Sequence, residues 1–282
     1  MPIQYEVRPD GLYVTQSFDA PTVYLDHWAI MTFAEDRALQ DRLVTDIRDK
    51  GGTLVLSTLS FGEFAAPVDP RHCRQAEEFI DRVMPRIFLT DQRLDEILAQ
   101  ERAQPDNRVR FPPSSDTRQL RLLVQRCLDA GRPLSIHGFI GLARDWAPQI
   151  VAQLADLTRQ YRERFERARQ DAVYRQRARD TLPDARRPRT MVIMGELMRG
   201  FALDQNAELT PNNCIDFLHA LQVNSCDFVL LDRAWQNRVE EMRRRILQSD
   251  PQMEIARCYS CGNNGLERFL VDLEAVQSRV VR

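Results

Sequence analysis

The chain has 282 residues, 43% of them hydrophobic, and a formal net charge of −2. That is length for one large domain, or for one domain carrying a long insertion, and no stretch approaches the ~20 apolar residues needed to span a bilayer. The opening Met1-Pro2-Ile3-Gln4-Tyr5-Glu6 lacks the basic-then-apolar pattern of a secretory leader, and six scattered cysteines make no disulfide framework, so a reducing cytoplasm is the expected compartment.

Residues 3–7 and 12–15 flank Arg8-Pro9-Asp10-Gly11, a turn signature, and predict an N-terminal hairpin within 1–20. Thr22-Val23-Tyr24-Leu25 then reads as a short buried strand ending in Asp26. Helical periodicity runs from 28 to 49 and closes at Gly51-Gly52. Thr53-Leu54-Val55-Leu56-Ser57 is a second buried strand, and Ser60-Phe61-Gly62-Glu63-Phe64 forms the first turns of a helix. A helix over 74–83 and the run Arg86-Ile87-Phe88-Leu89-Thr90 complete a first α/β part, 21–90.

From 91 to 204 the strand signals disappear. The pattern is helical, broken at Pro105, Pro112-Pro113 and Thr181-Leu182-Pro183-Asp184, and so long a stretch must carry structure of its own. It predicts a helical insertion or subdomain. The α/β pattern resumes over 205–282. Thr210-Pro211 places an N-cap before a proline at N1, and the helix it opens carries Asp216. Residues 228–231 form a strand delivering Asp232, followed by a helix at 234–247, a strand at 253–258 and an amphipathic helix at 266–276. Strands alternating with helices predict a mainly parallel sheet.

Asp26, Glu63, Asp216 and Asp232 each have an ordinary explanation, since an Asp after a strand commonly caps a helix and a Glu on a helix is commonly solvated. Together they carry more. A parallel sheet can bring all four to one edge, where they could not all stay ionised without a counter-charge. Mg²⁺ or Mn²⁺, bound through oxygen ligands, supplies one.

Val23-Tyr24-Leu25-Asp26, Leu56-Ser57-Thr58-Leu59-Ser60-Phe61-Gly62-Glu63, Asn213-Cys214-Ile215-Asp216-Phe217-Leu218-His219-Ala220 and Phe228-Val229-Leu230-Leu231-Asp232 resemble a PIN domain. The likeness lies in the order Asp, Glu, Asp, Asp and in the element carrying each acid. Ile87-Phe88-Leu89 and Ile255-Ala256-Arg257-Cys258 also fall where that family has strands. The resemblance covers about residues 20–90 and 205–260 and leaves the helical middle unmatched. It implies a three-layer α/β/α sandwich and a Mg²⁺- or Mn²⁺-dependent endoribonuclease, with Asp26, Glu63, Asp216 and Asp232 as catalytic and metal-binding residues. It also implies RNA as substrate and, because the family includes toxins of toxin–antitoxin pairs, leaves room for an antitoxin or other protein partner and for oligomers. The chain departs from the family at His27-Trp28, where small polar residues often follow the first Asp, and at Leu230, where Thr or Ser often precedes the last acid. The competing expectation is therefore a catalytically inactive PIN-fold scaffold that binds RNA or protein.

Lys50 is the sole lysine among 39 basic residues, and between 160 and 190 ten arginines stand against five acids with Tyr161, Phe165 and Tyr174 interleaved. This pattern predicts a track for a phosphate backbone with aromatics available for stacking. Arg186, Arg187 and Arg189, in a loop, are its foremost nucleic-acid ligands. The plain alternative is a solvated helix face with pairs such as Glu163–Arg167 and Glu166–Arg169. Cys258-Tyr259-Ser260-Cys261 is a lone CxxC, weak evidence for zinc and better read as a strand end. No GxSxG, HExxH or phosphate-binding glycine loop occurs.

Overall fold

Strand β1 (Ile3–Arg8) turns at Pro9-Asp10 and pairs antiparallel with β2 (Gly11–Gln16). The remaining strands build a separate, five-stranded parallel sheet. They are β3 (Thr22–Leu25), β4 (Thr53–Ser57), β5 (Ile87–Thr90), β6 (Phe228–Leu230) and β7 (Arg257–Tyr259), in the spatial order β5-β4-β3-β6-β7. The computed structural model describes residues 3–277 apart from 66–69, 92–93, 105, 107, 146, 205 and 207–209. The break expected at Pro105 lies outside the described residues.

After β3 come α1 (His27–Glu35) and α2 (Arg37–Lys50), where sequence periodicity suggested one helix. Asp36 divides them: its extended backbone leaves the helix, and its side chain accepts from Ala38 N and Leu39 N to start the next. Gly51 ends α2 in the left-handed region at φ 70°, and Gly52 packs so closely on Pro21 that a Cβ would meet its carbonyl oxygen at 2.5 Å. The helices α3 (Thr58–Ala65) and α4 (Pro70–Val83) lead into β5. The long middle segment forms α5 (Leu94–Arg102), α6 (Thr117–Asp129), a 3₁₀ turn (Ile140–Arg144), α7 (Ala147–Gln170), α8 (Ala172–Asp180) and α9 (Arg189–Leu203). Then follow α10 (Pro211–Ala220), a second 3₁₀ turn (Leu221–Asn224), β6, α11 (Arg233–Ser249), β7 and α12 (Gly265–Glu274).

Because side chains alternate along a strand, the sheet presents two apolar faces. Val23, Leu25, Leu54, Leu56, Ile87, Leu89, Phe228 and Leu230 face one layer, made by α1, α2, α4, α6, the first 3₁₀ turn and α12. Tyr24, Val55, Phe88 and Val229 face the other, made by α7, α9, α10 and α11. The result is a three-layer α/β/α arrangement, each fully buried Leu, Ile or Phe contributing about 1.5–3 kcal/mol.

The described residues of the middle segment form helices that go to both layers. Its α6 and 3₁₀ turn cover the first face, while α7 and α9 cover the second. Between α5 and α6 the chain crosses the open edge of the sheet, where Ser115 forms an antiparallel bridge to Thr90. Gln16 completes that edge: Leu89 N–H donates to its Oε1 at 2.9 Å, and its Nε2 donates to Leu89 O at 2.8 Å and Ser115 Oγ at 2.6 Å.

Two buried carboxylates fix the connecting loops. Glu77 of α4 accepts from Gly138 N, Ile140 N and Gly141 N at 2.8–3.2 Å. Glu101 of α5 accepts from Thr190 N and so takes the place of a side-chain cap at the start of α9.

Candidate functional site

The strand order sets where a ligand can sit. From β3 the chain winds outward through β4 to β5, then returns to β6 on the other side of β3 and winds on to β7. The order reverses between β3 and β6, and in open α/β sheets the crevice beyond the C-terminal ends of the strands at such a point receives ligands. Leu25 is paired with Leu230, and Asp26 N–H donates to Leu230 O at 3.1 Å. Asp26 therefore stands at the mouth of that crevice, with Asp232 just beyond the end of β6.

Both aspartates are also caps. Asp26 Oδ1 accepts from Trp28 N at 3.0 Å at the start of α1, and Asp232 Oδ1 accepts from Ala234 N at 2.6 Å and Trp235 N at 2.9 Å at the start of α11. Each cap uses one carboxylate oxygen and leaves the other uncommitted to the helix. Glu63 comes from α3, directly after β4, and Asp216 from the middle of α10.

Electrostatics ties the acids together. Burial pushes the Asp26 carboxyl up from 3.8 to about 7, helped by the charges of Glu63 and Asp216 and opposed by His219. Burial likewise lifts Asp216 to about 6, with the charge of Asp232 the next contribution and a hydrogen bond from the Trp235 side chain opposing it. Asp26, Glu63 and Asp216 thus act on one another electrostatically, and Asp232 acts on Asp216.

Sequence reasoning missed the residue at their centre. His219 lies one helical turn beyond Asp216 on α10 and is only 1% exposed. Its Nε2 lies 3.1 Å from Glu63 Oε2, an ion pair when the imidazole is protonated. Its Nδ1 is hydrogen-bonded to the Tyr24 hydroxyl, which lies 3.2 Å from Ser57 Oγ, itself 3.2 Å from Ser60 Oγ. Burial lowers the His219 pKa, but contact with Glu63 and the fields of Asp26 and Asp216 outweigh it, and the net shift is upward. The available signal was its i,i+3 spacing from Asp216, which puts both on one helix face.

Among the described residues, no three His, Cys, Asp or Glu side chains stand close enough, as placed, to hold a metal ion. The cluster is a set of carboxylates around one imidazole rather than a closed coordination shell.

The departures from the expected pattern have physical places. His27 packs its ring 4.8 Å from that of Phe64; its Nε2 is buried and unpartnered, and burial lowers its pKa. Leu230 is fully buried in the first core, where a hydroxyl would displace packing rather than face the acids. Cys258 is buried in β7 with its thiol pushed up by burial, Cys261 is exposed, and both are free.

The basic region needs correction. Arg189 is not a loop residue and is not presented to solvent: it opens α9 and is 0% exposed. Its guanidinium donates to Asn224 Oδ1 at 2.6 Å, to Arg108 O at 3.1 Å and to Glu254 O. A planar fork with five donors suits this junction of three carbonyl-type oxygens, which is why an arginine stands there. Arg186 is exposed and pairs with Asp184 at 2.9 Å; Arg187 is exposed beside it. Tyr161 and Phe165 point inward, Tyr161 against Phe217 and Phe165 stacked on Phe201, so neither offers a face for base stacking. Arg169 pairs with Glu166 at 3.7 Å as the spacing suggests, whereas Arg167 donates to the Glu163 carbonyl instead of its carboxylate.

The arginine-bearing helix still borders the acids, because α7 packs against both α3 and α10. Arg162 acts electrostatically on Cys214, two residues before Asp216. No described helix is long and apolar enough to cross a membrane. Comparison with protein-family models, curated proteins and solved structures gave no match.

Proposed function

We propose that the chain is a PIN-like, Mg²⁺- or Mn²⁺-dependent endoribonuclease whose site comprises Asp26, Glu63, Asp216 and Asp232. The observation that carries this reading is the gathering of these acids, from four different elements, at the switch point of a parallel sheet. Burial and mutual repulsion already hold two of them well above the usual carboxylate range.

In this reading Asp26, Glu63 and Asp216 hold the ion and Asp232 completes the cluster. When bound, the ion supplies a water of lowered pKa and neutralises charge developing on the phosphate. The caps made by Asp26 and Asp232 anchor their backbones and would leave one oxygen of each free for the ion. The exposed arginines of α7, α8 and the turn containing Arg186 and Arg187 attract the RNA backbone and set its approach. Calorimetric titration of Mn²⁺ with a parallel RNA-cleavage assay tests it. Saturable binding with chelator-sensitive cleavage is expected, and absence of both overturns it.

One observation favours a second reading. His219 already meets Glu63 at 3.1 Å within the acids and supplies a positive charge when protonated. A PIN-fold scaffold could stabilise the same cluster with this imidazolium and bind RNA without cleaving it. Mn²⁺ binding separates the two.

A further inference from the structure

The first strand has a neighbour on one side only. β1 pairs with β2 and, among the described residues, with no other strand, and all of it after Ile3 is exposed. Its register decides which main-chain groups are left over. Pro9-Asp10 makes a two-residue turn, so the closing pair Arg8–Gly11 is hydrogen-bonded and such pairs recur at every second residue. Gln4, Glu6 and Arg8 therefore direct their main-chain N–H and C=O groups to β2, while Ile3, Tyr5 and Val7 direct theirs away from it.

Ile3, Tyr5 and Val7 also share a side-chain face with their cross-strand neighbours Gln16, Val14 and Leu12. Ile3 is buried, and Leu12 and Val14 pack on the first core. Further along β1 the same face is uncovered: Tyr5 is 44% exposed and Val7 67%. On the opposite face the Arg8 guanidinium lies over the Tyr13 ring at 4.3 Å and pairs with Glu6 at 2.7 Å. Edge strands are ordinarily protected by proline, a bulge, an inward charge or a covering element. Between Ile3 and Arg8 there is no proline, the register with β2 has no bulge, and the charges of Glu6 and Arg8 are spent on each other.

We propose that β1 pairs antiparallel with β1 of a second copy of this chain, about a twofold axis at Tyr5. Residues with outward main-chain groups must oppose one another, so the axis passes through a residue and not between two. With the axis at Tyr5, Tyr5 opposes its own copy, Ile3 opposes Val7, and Gln4 opposes Glu6, an amide beside a carboxylate. An axis at Glu6 would set Glu6 against Glu6, a like-charge pair. An axis at Gln4 or Val7 would shorten the ladder. The pairing at Tyr5 satisfies the outward groups and lays each exposed Val7 beside the partner's buried Ile3. So small a contact belongs to the transient end of the interface scale, so monomer and dimer exchange with concentration. The inference is independent of the metal-dependent reading above.

Sedimentation of the full chain at rising concentration should show a monomer–dimer equilibrium, and V7P should weaken it by roughly tenfold or more. The Val7 N–H points outward, so proline there removes a bond between copies and none within the hairpin. In a C261S background, which removes the exposed free thiol, Y5C should cross-link to its own copy under mild oxidation. Opposed hydrogen-bonded residues stand about 5.5 Å apart at Cα, within reach of a disulfide. V7C should not cross-link, because the two copies of that position lie roughly 14 Å apart along the strands. Amide exchange at Tyr5 and Val7 should slow with concentration while that at Gln4 and Glu6 stays constant. A chain that remains monomeric throughout overturns the proposal. So does a dimer that V7P leaves intact and Y5C fails to cross-link, which would place the contact elsewhere. Protection of Tyr5 and Val7 in the monomer would mean that the same chain covers the edge, and overturns it too. Should V7P not fold, the contrast between Y5C and V7C decides.

Discussion

Glu63 and His219 meet at the C-terminal edge of the sheet with Oε2 and Nε2 3.1 Å apart, one carried by the helix after β4 and the other by the helix before β6. The contact couples the two halves of the α/β fold that the middle segment separates in sequence. It also places a titratable imidazole among four acids, so charge at this edge governs stability as well as chemistry.

Asp26→Asn is expected to abolish RNA cleavage and reduce Mn²⁺ affinity by at least tenfold while leaving the fold intact, because Asn caps a helix as well as Asp does. Cleavage at a fixed RNA concentration, alongside circular dichroism, checks it. Full activity in protein purified free of host nucleases would remove Asp26 from the site.

The metal-free chain should lose stability as pH rises from about 4 to about 7. Asp26 and Asp216 have folded pKa values of about 7 and about 6 against 3.8 in the unfolded chain, so the folded state holds more protons across this window. Their contribution is fully present below 3.8 and is lost as pH passes through the folded values. Urea titrations at pH 5 and 8 measure it. D26N should flatten the difference, and added Mn²⁺ should raise Tm more at pH 8 than at pH 5.

Arg189→Ala should destabilise the chain by about 3–5 kcal/mol, since it leaves Asn224 and two backbone carbonyls without their buried donor. R186Q/R187Q, by contrast, should cost under about 1 kcal/mol and reduce the slope of log affinity against log salt by about 1 to 2. Chemical denaturation and RNA binding at several salt concentrations separate the two outcomes. An unchanged slope would take Arg186 and Arg187 out of RNA binding.

Glu77→Gln should cost about 2–4 kcal/mol, because a neutral amide cannot accept as strongly from the three N–H groups of the 138–141 turn. Amide exchange at Gly138, Ile140 and Gly141 should accelerate ahead of the rest of the first core. Exchange rates unchanged at all three would show that another contact holds the turn.

The strand ends were legible because a short apolar run followed by Asp marks where a buried strand gives way to a capped helix, and Asp26 and Asp232 both cap one. The N-cap at Thr210 and the hairpin turn at Pro9-Asp10 follow from local chemistry and form as read. What the sequence concealed depends on long-range partners. Nothing local separates Arg189 from Arg186 and Arg187; only the oxygens of Arg108, Asn224 and Glu254 make it a core residue. The inward turn of Tyr161 and Phe165 is likewise set by Phe201 and Phe217. His219 looked like one more helix residue because Tyr24 and Glu63, which give it meaning, arrive from other strands and helices.

The route of the middle segment has a consequence for how such a chain can change. By passing around the β5 edge and furnishing helices to both layers, residues 94–204 act as a belt and not as an attachment. Cutting it out would bare the sheet on both sides together with one unpaired margin, so a shortened version would have to replace two walls at once. Growth and loss are open to the exposed turns of this segment, whereas the helices that touch the sheet are as indispensable as the strands.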